Sequence, residues 1–99
     1  MLVVAFDKNN VFVYPGEKRD SGIEDASIVA THMMLAAKSV GVDSCWLNFF
    51  DPEKAHEELG LPENEEVLML LDLGFAAEGA GPLANHSSRK PLTETVSFL

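Results

Sequence analysis

Cysteine occurs once in the 99 residues, which excludes a fold stapled by disulfides within the chain. Basic residues are also scarce. Seven Lys and Arg stand against 16 Asp and Glu, giving a net charge of −9. Such a chain is a poor match for a phosphate backbone, so nucleic acid is not an expected partner. No apolar run approaches the roughly 18 residues that a membrane span requires. No basic stretch and no small-residue cleavage site accompany the first apolar segment, Leu2 to Phe6, so no signal peptide is read. The cytoplasm is the expected compartment. His32, His56, His86 and Cys45 show none of the spacings that metal ligation uses.

What is present is globular. Hydrophobic residues make up 46% and charged residues 23%. At this length one domain with one core is expected, with a folded surface of about 5,500 Å². Leu2 to Phe6 reads as a strand buried on both faces. It begins directly after Met1, where most domains carry a few polar residues. Val11 to Tyr14 is β-prone and stops at Pro15-Gly16, giving a short strand or an ordered loop.

Ser21 and Glu24 have capping-box spacing, with Asp20 or Ser21 as the N-cap, and a helix is expected from about residue 23 to 40, with Gly41 as its stop. At 100° steps, Ala26, Val29, Ala30, Met33, Met34, Ala36, Ala37 and Val40 fill one arc. Ile28 and Leu35 form a narrow ridge opposite. A helix apolar on two sides is buried on two sides, and in a chain this small one side is expected to meet another subunit.

Residues 44–50 read as a strand or extended segment. Asp51-Pro52-Glu53 is a strong helix start, and that helix ends at Gly60. Residues 67–73 form the most apolar strand. Residues 74–91 read as an ordered loop, and 92–99 as a tail without a predicted structure. Strand and helix alternate, so a layered α/β or α+β arrangement in a single domain over 1–99 is expected.

The chemistry-bearing residues are sparse. Cys45 sits in an apolar run, where a lone Cys is expected to be a small buried hydrophobe. The stretch 51–66 holds seven acids against Lys54 and reads as a solvated face. The glycine-rich run from Gly74 to Gly81 fits neither phosphate-loop pattern. Arg89, close to Ser87 and Ser88, has the donors of a monophosphate clamp, though from chemistry alone surface charge is the better explanation.

Several segments, in order, resemble the C-terminal half of the FMN-dependent nitroreductase family. They are Gly22 to Asp25 leading into the helix, Gly41 to Asn48, Phe50-Asp51-Pro52, Leu59 to Pro62, the strand ending in Leu73-Gly74-Phe75, and Ser88 to Val96. The resemblance implies a sheet flanked by helices, built as an intertwined homodimer with FMN at the interface. It implies transfer of hydride from NAD(P)H through the flavin to nitro compounds, quinones or similar small aromatic acceptors.

Carried over position by position, the resemblance assigns Arg89 to the FMN phosphate. Ser87 stands where relatives often have Lys. Leu47, Asn48 and Phe49 match the stretch whose backbone approaches the flavin ring. Phe49 replaces a glycine common in relatives, which would crowd that approach. Trp46 either lines the ring edge or packs in the core. No residue is assigned a catalytic or metal-binding role. The basic helical segment with which family members begin has no counterpart here. The expectation is therefore a truncated or split nitroreductase-like chain, completed by a second copy or by a separate N-terminal half. An alternative is a non-catalytic dimeric scaffold or binding module. Alone, the chain is expected to bind FMN weakly or not at all.

Overall fold

The computed structural model describes residues 1–98. The elements follow in the order β1 (Leu2–Asp7), α1 (Gly22–Ser39), β2 (Asp43–Leu47), α2 (Pro52–Leu59), β3 (Glu65–Gly74) and α3 (Leu92–Thr95). Leu99, the last residue of the expected tail, lies outside the described residues.

The strands form one three-stranded sheet in the order β1-β3-β2, with both pairings antiparallel. β1 and β2 therefore run parallel to each other with β3 between them, and α1 is the crossover that joins them. The expected layered mixture of helix and sheet is what forms. β3 takes the centre because it is the longest strand and the one most continuously apolar.

The core lies between the sheet and α1. Val4, Ala26, Ala30, Met69 and Leu71 are buried together, with Phe6, Met33, Met34, Trp46 and Leu68 packed around them. Ala26 and Ala30 are small enough to bring the helix backbone close to the strands. The buried stripe is narrower than the arc expected from periodicity. Val29, Ala36 and Val40 are exposed, because a sheet of three strands covers only the central strip of the helix. The opposite ridge, Ile28 and Leu35, is open to solvent within this chain.

A bulge interrupts the β1–β3 ladder. Val4 pairs with Met69 but Ala5 pairs with Val67, which leaves Leu68 as the extra residue. The shift places Met69 on the α1 side and Val67 on the other. Val67 is indeed buried outside the core cluster, and it lines a hollow with Pro52 and His56 of α2.

Local chemistry explains the helix ends. Asp51 caps α2, accepting from the amides of Glu53 at 3.0 Å and Lys54 at 3.3 Å, and Pro52 opens the helix. Gly60 closes it at φ 63°, in the left-handed region. The capping box expected at α1 does not form. The Ser21 hydroxyl instead accepts from the Phe12 amide, and Glu24 turns outward to the Tyr14 hydroxyl and the Arg19 guanidinium. Arg19 also lies 4.7 Å above the Tyr14 ring. Both polar groups are taken up by residues 8–21, a loop with a single Val13–Asp20 bridge, which docks on the helix start.

Asp7 ties the end of β1 to the turn before β3. Its Oδ1 accepts from the Asn64 side-chain amide at 2.8 Å and the Asn9 backbone amide at 2.9 Å. These donors, Asn64 foremost, hold its carboxyl below the ordinary 3.8. A depressed folded value adds stability above the unfolded value, and that stability is lost as pH falls through the folded one. Urea unfolding followed from pH 7 to about pH 2 is expected to lose stability less steeply in Asp7→Asn than in the native chain. Equal acid slopes would remove Asp7 from this role.

Candidate functional site

The expected binding residues belong to two regions, the exit of β2 and the segment after β3. On β2, alternation divides neighbours between faces. Trp46 pairs with Leu71 and packs against the core beneath α1, so the core alternative left open by the sequence is the one this chain adopts. Leu47 pairs with Leu70 on the opposite face, which α1 does not cover. The ladder ends there, sooner than the expected 44–50, because the Asp51-Pro52 helix start turns the chain away. Asn48 is exposed and Phe49 wholly so, at 105% relative exposure, while Phe50 is half-buried.

Ser87 and Arg89 lie on a turn. One guanidinium nitrogen of Arg89 donates to the carbonyls of His86 at 3.0 Å and Ser88 at 2.7 Å. Among the described residues, the hydrogen bonds of 77–98 all close within that segment, and α3 packs against no other element. The candidates from β2 and those from this arm are therefore not brought together by the chain itself. The hollow beside α2, the one between Lys8 and Asn64 and the one over Asp43 and Asp72 are lined by none of them. Tested against an FMN-sized ligand, the residues present do not make a complete cradle. They supply a cation and hydroxyl on one segment and a strand exit on another.

The remaining polar groups play local roles. His56 bonds the Pro62 carbonyl at 2.8 Å through Nε2, and His32 bonds the Ile28 carbonyl through Nδ1. No group of three or more His, Cys, Asp or Glu side chains able to hold a metal ion occurs among the described residues. The acids of 51–66 are mostly exposed around the hollow beside α2, as a solvated face requires. Cys45, expected to be buried, is exposed. It points to the sheet face that α1 leaves open, opposite Asp72.

Sequence reasoning missed Asp43. Its carboxylate accepts from Lys38 Nζ at 2.8 Å and from the Ala76 amide at 3.3 Å. Lys38 first and the Ala76 amide second hold its carboxyl below the usual value. The one sequence signal is Lys38 five positions earlier, a spacing that means little until the chain turns at Gly41.

A three-stranded antiparallel sheet with one helix across it, a second helix against its central strand and open apolar surface defines a partial layered α/β unit. Comparison with known proteins gives this unit a family. The model of the nitroreductase family matches residues 1–75, and the chain belongs to that family. It is 32% identical over 81 residues to YodC, a candidate NAD(P)H nitroreductase of Bacillus subtilis, covering 82% of this chain and 38% of that protein. It is 34% identical to MhqN of the same organism, another candidate NAD(P)H nitroreductase, over 83% of this chain and 39% of that one.

A crystal structure of a nitroreductase family protein from Clostridium difficile 630 superposes with a TM-score of 0.82 at 35% identity. The match covers 97% of this chain and 56% of that one. A candidate nitroreductase from Exiguobacterium sibiricum, solved in complex with FMN, shares the fold at a TM-score of 0.66 and 24% identity, over 80% of this chain and 36% of that one. The chain thus spans about two-fifths of the length of the curated relatives it matches.

Proposed function

We propose that this chain supplies one part of an FMN-dependent NAD(P)H oxidoreductase acting on nitro compounds, quinones or similar small aromatic acceptors in the cytoplasm. Arg89, with Ser87, is its contribution to the flavin phosphate. Leu47, Asn48 and Phe49 at the β2 exit are its contribution to the ring. A second polypeptide, either a copy of this chain or a separate N-terminal half, completes the cradle.

The observation that carries this reading is uncovered apolar surface on a family-specific framework. The accessible surface is 8221 Å², against about 5,500 Å² for a compact protein of this mass. The Cα radius of gyration is 16.9 Å, against about 13 Å for a compact domain. The surplus, about 2,700 Å² on one chain, exceeds the roughly 800 Å² per partner of a standard interface and matches only the largest obligate assemblies. The Ile28–Leu35 ridge and the Val3, Leu47 and Leu70 face are the natural places for it.

Titration of FMN by fluorescence quenching tests the phosphate assignment. Arg89→Ala is expected to weaken FMN binding about tenfold, the worth of a charge-assisted contact. Unchanged affinity removes Arg89 from the site. The exposed ridge also favours a second reading, a non-catalytic dimeric scaffold. A chain that is dimeric by light scattering yet acquires no flavin at excess FMN supports the scaffold and sinks a flavin site completed by a second copy.

A further inference from the structure

The arm that follows β3 is exposed from Phe75 to Phe98, including the large apolar side chains Phe75, Leu83, Leu92 and Phe98. Its attachment to the rest of the molecule is slight. Gly74 makes the last ladder pairing, with Asp43. Two residues further on, the Ala76 amide donates to Asp43 Oδ2. Beyond that bond, the hydrogen bonds among the described arm residues are internal to the arm.

The other oxygen, Asp43 Oδ1, is held by Lys38 Nζ from the last turn of α1. One carboxylate therefore joins the end of α1, the start of β2 and the root of the arm. We propose that Asp43 is a positioning residue whose carboxylate clamps Ala76 and fixes the direction in which residues 77–98 leave the sheet.

The charges around it suit that work. Lys38 from α1 keeps the carboxylate ionised and restrains its rotation. Asp72 of β3 lines the same shallow hollow as Asp43. A charged acceptor strengthens the bond to the Ala76 amide relative to a neutral one. The clamp acts at the root, where a small rotation displaces everything distal to it. It does not depend on the flavin reading, because its readout is the arm itself.

The test is amide exchange and backbone relaxation by NMR on the full chain, comparing Asp43→Ala and Asp43→Asn with the native protein. The Trp46 and Leu71 amides serve as controls within the sheet. In Asp43→Ala, exchange at Ala76 is expected to rise about three- to tenfold, with lower order parameters over 77–85 and unchanged controls. Asp43→Asn, which keeps the shape but loses the charge, is expected to fall between. Native exchange at Ala76 in either variant with the controls intact overturns the proposal. So does loss of control protection in both variants, which would make Asp43 a residue of the fold rather than of the arm. If only Asp43→Ala loses the controls, the Asn variant decides.

Discussion

Truncation of Leu71 to alanine is expected to cost about 2–5 kcal/mol of folding free energy. Leu71 is fully buried at the middle of the central strand. Leu2 and Trp46 stand opposite it on either side, and it belongs to the cluster beneath α1. The cavity cannot close by collapse of one neighbour, since strands restrain both flanks. A small domain has only about 5–15 kcal/mol to lose, so this single change approaches unfolding. Leu73 is the internal control. It projects to the same face two residues later but is 39% exposed. Leu73→Ala is expected to cost less than about 1 kcal/mol. Urea denaturation midpoints compare the two, and equal shifts would mean that β3 is not centred on Leu71.

Gly22→Ala carries the second large effect, and two forces oppose each other there. Alanine gains up to about 1 kcal/mol over glycine in a helix. A Cβ on Gly22, however, would overlap the Cε2 and Cδ2 atoms of the Phe6 ring. Phe6 packs against the core, so moving its ring aside gives up part of that contact. Overpacking of this kind costs about 1–3 kcal/mol, so the clash is expected to win and the melting temperature to fall. Adding Phe6→Leu should recover part of the loss, because it removes the ring atoms in question. A Gly22→Ala protein that melts at or above the native temperature would show that β1 and α1 are less closely packed than described.

The elements that the sequence predicts well are those fixed by local chemistry. Asp51-Pro52 and Gly60 bound α2 because capping and a left-handed turn need only nearby atoms. The apolar stretch of β3 is legible for the same reason. What fails is what depends on distant partners. The Ser21 cap is lost to Phe12, nine residues away, and Glu24 is drawn off by Tyr14. Exposure of Cys45 follows from which face of the sheet α1 covers, and no window along the chain contains that information. The candidate site is legible as family likeness only. Arg89 and Leu47 lie on segments that the chain does not bring together, so their partnership cannot be read from local pattern.

The bulge on β3 has a consequence for how much one strand can do. A regular strand has two sides with a single fixed assignment of odd and even residues. By slipping one position at Leu68, β3 reads its own sequence in two phases. Met69 and Leu71 serve α1 in one phase, and Val67 serves α2 in the other. One strand thereby provides footing for helices on opposite sides of a sheet. An apolar run without alternation is the sequence such a strand requires, since either parity must be able to face inward.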